Sequence, residues 1–457
     1  MSRPAQRAIL AILFVGVLMA ALDIAIVGPA LPAIGDTYGV GSRALSWVFS
    51  AYVLFYVVGA PLLAKLSDRT GRRAVFAQSL ALFAAGSLIV AAAPTFEALL
   101  IGRSIQAFGA GGIFPVASAV IAETVPQEKR GRTLGLIGAV FGLAFLLGPL
   151  LGGLLLHWSW RWLFVVNVPI AAALIAVGLR YLPSAAAARP RGFDTLGATM
   201  LALALAGAVW GLSEVDAPNL PASLASVRIW PSLLLAVVAA LAFWAVEKRA
   251  PDPVLHPDLF RSVQLRVVGA IALAAGIVEA GMVFLPKIAV LGLGVSSSAA
   301  SLMMVPLVLT LTIGAPLAGQ LLDRSGARPV IQGGLLFTIV GLALYAWLPL
   351  NTASFYGAGA AIGFGLSALL GAPLRYVTLQ EAGPERRGAG QGLLTLCVSV
   401  GQLLGAALVG GIVGSSASEL AGYRRALLTL AVACAFALVC SAALRGRVAA
   451  GRTAGGV

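Results

Sequence analysis

The chain has 457 residues, of which 60% are hydrophobic and 11% charged, with a mean hydropathy of +0.98 and a net charge of +14. A soluble globular chain carries about 25% charged residues, so most of this surface faces something other than water, and at roughly 20 apolar residues per crossing the length holds a dozen or more membrane spans. The basic residues sit in short clusters between apolar runs, a pattern that orients membrane helices and excludes a nucleic-acid binder.

Taken in chain order, apolar segments of spanning length are predicted at about 8–32, 45–64, 74–93, 96–121, 134–156 and 162–182. A further pair lies at about 195–213 and 229–246, and six more at about 267–291, 299–320, 330–348, 354–376, 389–413 and 425–444. Arg3 and Arg7 precede the first run, which reads as a retained first helix and not a cleaved signal. With a cytoplasmic N-terminus and fourteen crossings, most basic residues fall in inside loops. Arg43, Arg161, Arg228, Lys287, Arg424 and Arg425 fall at outer ends. That bias predicts both termini inside. Cys397, Cys434 and Cys440 lie in apolar segments without paired spacing, so neither a disulfide framework nor a metal site is expected.

An internal repeat organises the chain. APLLAKLSDRTGRRAV (60–75) aligns without gaps to APLAGQLLDRSGARPV (315–330), with a second echo between PQEKRGR (126–132) and GPERRGA (383–389). Matching loops in two halves mean duplicated helical bundles, a frequent transporter architecture. The first offset is 255 residues, about two crossings more than six helices and their loops need. The expected design is therefore a six-helix bundle over 1–187, an inserted pair of helices over 188–260, and a second six-helix bundle over 261–457.

LSDRTGRR (66–73) resembles the loop between helices 2 and 3 of the major facilitator superfamily, whose pattern is Gly-x-Leu-x-Asp-Arg-x-Gly-Arg-Arg/Lys; Ala64 stands where Gly is usual. GQLLDRSGAR (319–328) is the second copy and keeps the Gly. The resemblance makes Asp68, Arg69, Gly71, Arg72 and Arg73, with Asp323, Arg324, Gly326 and Arg328, a conformational gating loop. The residue types suit that role: Asp68 can accept hydrogen bonds at a helix N-terminus, Gly71 permits a tight turn, and the arginines face an anionic leaflet. GRSIQAFGAGG (102–112) is similar to the superfamily's helix-4 motif with its embedded Arg. GLIGAVFGLAFLLGPLLGG (135–153) resembles the helix-5 antiporter motif through Gly135, Gly148, Pro149, Gly152 and Gly153, with Ala144 replacing a middle Gly. LDIAIVGPALP (22–32), WRWLFVVNVPI (160–170) and FDTLGATMLAL (193–203) resemble the fourteen-helix drug:proton antiporter branch, with Ala25 and Gly28 in place of polar residues. The fold implied is an all-α integral membrane protein, two major facilitator bundles with two additional helices between them.

An ionisable group in hydrocarbon is costly and marks a functional candidate. Asp23 lies about fifteen residues into the first segment, roughly 22 Å from the inner face, and Arg103 about eight residues down the fourth from outside, roughly 12 Å deep. The two can pair. Glu279 lies about twelve residues into the ninth segment, roughly 18 Å from the inner face. Either carboxyl can alternate between protonated and charged states, since burial favours the first and a nearby Arg the second. A static Asp23–Arg103 pair and a Glu279–Lys287 pair are the bland readings of these charges. Gln106, one turn from Arg103, and Glu279 are candidate cavity residues.

The expected function is secondary active transport: proton-coupled export of amphipathic or hydrophobic small molecules by alternating access. The proton-coupling residues would be Asp23, Arg103 and Glu279. Alternatives are export of a specific metabolite or lipid, or a non-transporting receptor or scaffold. ATP-driven pumping is disfavoured because the chain has no Gly-Lys dipeptide and so no P-loop. Enzymatic activity is disfavoured because no catalytic constellation appears at membrane depth. The protein is expected in the cell inner membrane, as a monomer, with the lipid bilayer and a hydrophobic or cationic substrate as its partners and with no cofactor.

Overall fold

The computed structural model describes residues 3–126, 140, 143–144, 147–182, 195–215, 226–227, 229–250, 253, 256–382 and 387–445. All regular structure among these residues is helical. The first half comprises α1 (Arg3–Tyr38), α2 (Ser42–Thr70), α3 (Arg72–Ala92), α4 (Phe96–Thr124), α5 (147–155), α6 (Trp162–Val165) and α7 (Asn167–Tyr181). Next come α8 (Thr195–Ser213) and α9 (Trp230–Glu247). The second half holds α10 (Val263–Met282), α11 (Leu285–Leu293), α12 (Ser297–Leu302), α13 (Val305–Ser325), α14 (Ala327–Trp347), α15 (Thr352–Leu370), α16 (Ala372–Ala382), α17 (Arg387–Gly414) and α18 (Glu419–Ser441). By length and composition, 13 stretches among the described residues could cross a membrane. Of the crossing expected at 134–156, residues 140, 143–144 and 147–156 are described, whereas most of the 126–132 and 383–389 echo lies outside the described residues.

Helices outrun the apolar windows that predict them. α1 and α2 extend past 8–32 and 45–64 at both ends, because an apolar window stops where hydrocarbon stops, whereas a helix runs on to its cap. In the second half, three predicted single spans are broken. α10 stops at Met282 and α11 resumes at Leu285, ahead of Pro286; α12 and α13 part ahead of Pro306, and α15 and α16 part ahead of Pro373. Each proline removes an N–H and collides with the carbonyl four residues earlier. At the first break, Val283 N–H donates to Ala280 O and Phe284 N–H to Gly281 O, tighter bonds of the three-residue type. Pro61, Pro115 and Pro316 are tolerated inside continuous helices.

The repeated loops share a backbone device. Gly71 between α2 and α3 has φ 99°, and Gly326 between α13 and α14 has φ 87°. L-residues with a side chain rarely adopt such angles, so both hairpins turn on a glycine 255 positions apart.

Packing divides the chain into two compact units. Unit 1 contains Met1–Val254, Ala280–Val305 and Gln402–Ala426; unit 2 contains Leu255–Glu279, Pro306–Gly401 and Leu427–Val457. Within unit 1, α4 is wedged between α2 and α3, and a Cβ on Gly86 would collide with the Gln106 backbone nitrogen. Without a hydrophobic driving force between helices in lipid, such small-residue contacts let backbones approach. The core of unit 1 runs through Leu13, Val17, Phe76, Leu80, Phe83, Ile113 and Val120. α8 and α9 pack as a hairpin, Gly207 against the Ser232 carbonyl, and α8 meets α2 through Trp47 and Trp210, ring centres 5.7 Å apart. Ser42 Oγ donates to Glu419 Oε1 at 2.9 Å and lies 3.0 Å from the Tyr423 hydroxyl, so α18 begins against α2. Within unit 2, α10 and α17 meet where Gly401 faces the Leu273 carbonyl, and Glu381 receives hydrogen bonds from Ser262 (2.7 Å) and Arg445 (3.1 Å).

Gly86→Val drives a side chain into a neighbouring backbone that has no room to yield, and should destabilise unit 1 by about 1–3 kcal/mol or more. Gly357→Val adds the same bulk where nothing lies within 4 Å, and should stay within about 0.5 kcal/mol of the parent. Thermal unfolding of both in detergent checks the contrast, and equal melting points would refute it.

Candidate functional site

α4 starts on a firm cap. Thr95 Oγ1 accepts from Ala98 N–H at 3.2 Å, and Glu97 in the first turn complements the helix dipole. Two turns on, Arg103 is fully buried, its guanidinium surrounded by groups from other helices. Arg103 Nη1 donates to Asp23 Oδ2 of α1 at 2.6 Å and to Gln106 Oε1 at 2.7 Å; Nε donates to the Val48 carbonyl of α2 at 3.4 Å. The guanidinium carbon sits 4.1 Å from the Tyr52 ring centre and 5.6 Å from that of Phe164, close enough for cation–π attraction.

Asp23 is equally buried. Its Oδ1 accepts from Gln106 Nε2 at 2.7 Å and from Asn167 Nδ2, at the start of α7, at 3.2 Å. Ser87 Oγ of α3 accepts from the same two amides at 2.7 and 3.4 Å. Six helices therefore converge on one ion pair: α1, α2, α3, α4, α6 and α7. Charge-assisted bonds of this length are about twice as strong as neutral ones. Within this network, Arg103 Nη2 and the Tyr52 hydroxyl have no hydrogen-bond partner among the described residues. The network encloses one carboxylate and one guanidinium, and Arg103 is also held by Gln106, Val48 and Tyr52.

The structure thus brings Asp23, Arg103 and Gln106 together. Glu279, half-buried on α10, belongs to unit 2. The break at Val283–Phe284 also interrupts the continuous helical face on which the sequence sets Glu279 and Lys287. Asn167, Ser87 and Tyr52 escaped the sequence analysis. The available signal was Asn167, an amide inside an apolar run, which must find a partner in the membrane.

In the first gating loop, Asp68 pairs with the side chain of Arg72, the opening residue of α3. Arg72 also donates to Ser67 Oγ at 2.6 Å and Glu123 Oε1 at 3.0 Å, and Arg73 donates to the Leu182 carbonyl at 2.7 Å. The loop thereby ties α3 to the ends of α2, α4 and α7. Arg69 lies in the last turn of α2. In the second copy, Asp323 and Arg324 end α13, and Arg328 stands in the first turn of α14 across Gly326. Of the antiporter-motif residues, Gly135 lies outside the described residues. Gly148 on α5 faces Ala25 of α1, where a Cβ would come within 2.6 Å of the Ala25 Cβ. Gly152 and Gly153 face Ser301 and Leu302 of α12. The Pro149 carbonyl accepts from Ser301 Oγ at 2.7 Å and the Gly153 carbonyl from Ser298 Oγ at 2.5 Å. The small residues of α5 thus seat α1 on one side and α12 on the other.

Asp23→Asn would leave Arg103 as an uncompensated buried cation and turn an amide NH2 or a single oxygen toward three donors. It should cost about 3–5 kcal/mol of stability. The double variant Asp23→Asn/Arg103→Gln should recover part of that loss. Thermal unfolding of the purified protein measures both, and a single variant as stable as the parent would sink the reading.

Comparison with known proteins places the fold. A sequence profile of the Major Facilitator Superfamily matches residues 13–406 and again 267–455. The MFS-type transporter YfiU of Bacillus subtilis is 36% identical over 415 residues, covering 89% of this chain and 80% of its own length. Multidrug resistance protein 3 of Bacillus subtilis is 29% identical, covering 87% and 78%. Multidrug resistance protein Stp of Mycobacterium tuberculosis is also 29% identical, covering 88% and 74%. Among solved structures, a bacterial homologue of the human lysosomal transporter Spinster superposes with a TM-score of 0.67 at 17% identity, over 97% of this chain and 98% of that one. The nucleoside transporter NupG superposes with a TM-score of 0.68 at 14% identity, over 95% and 99%. This chain, with its many apolar helices, is a multi-pass membrane transporter and belongs to the Major Facilitator Superfamily.

Proposed function

We propose that the protein is a proton-coupled antiporter of the fourteen-helix branch, exporting amphipathic or hydrophobic small molecules across the cell inner membrane by alternating access. The observation that carries this reading is the fully buried Asp23–Arg103 pair with Gln106 and Asn167 around it. A membrane-embedded carboxylate matched to one arginine is a group whose charge a proton can cancel, and intramembrane ionisable groups mark proton relays. Protonation of Asp23 removes the attraction to Arg103 and leaves the cation to Gln106, Val48 and Tyr52. Deprotonation restores a neutral pair. Each proton taken or released therefore changes what holds α1 to α4, the kind of differential contact that shifts a conformational equilibrium.

Glu279 is the second carboxylate of the proposed cycle and, with Gln106, a substrate-facing candidate. Relatives named as multidrug resistance proteins support a broad, hydrophobic cargo. The proposed architecture is six plus two plus six helices, α8 and α9 being the inserted pair, with both termini cytoplasmic. The transporter would act as a monomer in the bilayer and need no cofactor beyond the ion gradient. The gating loops and the α5 glycines would govern closure.

The test is efflux of a lipophilic cationic dye from proteoliposomes under an imposed proton gradient. The parent should move dye against its concentration gradient. Asp23→Asn and Glu279→Gln should lose gradient-driven efflux to the no-gradient background while each still exchanges dye for dye. Undiminished uphill efflux in Asp23→Asn would refute the coupling role of the pair, and unchanged efflux in Glu279→Gln would remove that residue from the cycle. Absence of gradient-coupled flux in the parent would favour a receptor or scaffold.

A further inference from the structure

Unit 2 contains a groove of about 200 Å³ between α13, α14 and α15. Its floor is Gly314, Ala318 and Gly333, and its rim carries Leu321, Phe337 and Phe364. The repeat explains why it exists. At the 255-residue offset, Ala318 corresponds to Leu63 and Gly333 to Gln78. Leu63 is buried in unit 1 and packs against Gly112. The shorter Ala318 leaves open in unit 2 a space that Leu63 fills in unit 1, and Gly333, unlike Gln78, adds no side chain beside it.

The lining dictates what fits. Its only two hydroxyls are committed to their own helices: Ser367 Oγ donates to the Phe364 carbonyl at 2.6 Å and Ser325 Oγ to the Leu321 carbonyl at 2.7 Å. No donor is left to orient a polar ligand. The volume is below the roughly 300–1,000 Å³ of sites that enclose drug-sized molecules. Leu321 and Phe337 are about half exposed, as are the neighbouring Leu336 and Val340. The groove therefore lies open on an apolar helix face at membrane depth. One end closes at Ser325 and Pro329, where the Gly326 turn carries Arg324 and Arg328 against a single carboxylate, Asp323. A slot for a flexible hydrocarbon, ending beside a turn with net positive charge, matches one molecule of the bilayer.

We propose that this groove holds one acyl chain of an anionic phospholipid, whose head group rests on the Arg324–Arg328 turn. Basic sites at helix ends attract anionic head groups, and the apolar slot fixes the chain beneath them. The proposal does not depend on the transported ion or cargo. It also gives Gly333 a role that its open surroundings leave unexplained, since a Cβ there would meet nothing within 4 Å.

The test uses the full chain, purified in detergent and stripped of lipid, then titrated with phosphatidylglycerol or phosphatidylcholine of identical chains. The readouts are thermal unfolding and lipid retained in native mass spectra. Phosphatidylglycerol should raise the melting temperature more than phosphatidylcholine and remain bound as a single copy. Gly333→Leu fills the slot and should lose that shift and the bound lipid, whereas Gly357→Leu, of equal bulk at another open position, should keep both. Arg328→Gln should retain lipid but lose the preference for phosphatidylglycerol. Equal shifts from the two lipids, or an unchanged response in Gly333→Leu, overturn the proposal. So does one-for-one displacement of the lipid by a lipophilic dye, which would make the groove a cargo site. Should Gly333→Leu fail to fold, a photoreactive benzoylphenylalanine at Phe337 decides: it should capture phosphatidylglycerol, and no adduct counts against the proposal.

Discussion

Arg103 is a fully buried cation, and much of unit 1 is arranged around offsetting its charge. Buried at membrane depth, this cation takes its partners from its own helix and from α1, α2 and α6. Asp23 supplies the countercharge, Gln106 and the Val48 carbonyl supply further acceptors, and the Tyr52 face covers the guanidinium. Asn167 and Ser87 hold the acceptors in place by binding the far side of the same carboxylate and amide. Removing any one partner changes the electrostatics of the rest. A buried ion pair is weak evidence of stability but is expensive to break.

Such convergence requires helices that approach more closely than ordinary side chains permit. Gly86 brings α3 against Gln106, and the α5 glycines bring α5 against α1 and α12. In lipid the attraction between helices is dispersion and hydrogen bonding, both steep in distance. Glycine is therefore the residue that converts proximity into a site. The duplicated half applies the same economy differently. In unit 2, Gly314 packs closely on Ser367, whereas Gly333 has open space where a side chain would stand, and the groove between α13, α14 and α15 runs past it.

Much of this was legible in the residues, for identifiable reasons. The 255-residue repeat reports directly on backbone geometry, because Gly71 and Gly326 both take φ angles that only glycine adopts readily. Depth arithmetic placed Asp23 and Arg103 near one another because helical rise is uniform and charges in apolar runs are rare. Gln106 was visible only through its one-turn spacing from Arg103, yet it bonds both members of the pair. Asn167, Ser87 and Tyr52 were not legible as a group, since a neutral polar residue in a helix can equally satisfy itself on its own backbone, as Ser118 and Thr312 do. Which outcome holds depends on the rotation of the neighbouring helix, and no local pattern encodes that. The helix breaks were hidden for a related reason: Pro286 and Pro306 interrupt the helix where Pro61 and Pro115 do not, because packing decides whether the freed carbonyl is tolerated.

The separation of 80 positions between Asp23 and Arg103 also sets an order in time. A ribosome delivers α1 to the membrane before α4 exists, so Asp23 enters the bilayer without its countercharge. A carboxylate at a helix centre opposes insertion by about 2.5–3.5 kcal/mol, and each surrounding Leu, Ile or Val favours it by only about 0.3–0.6. The apolar residues flanking Asp23, from Ile9 to Leu31, offset that penalty during the wait. Arg103 faces no such delay, because its acceptor is already in place when it arrives. Biogenesis thus admits the acid first, carried by its own hydrophobic helix, and lets it recruit the base. The reverse order would send an unaccompanied guanidinium into hydrocarbon within α4, a helix whose face toward α3 is thinned by Gly102 and Gly109.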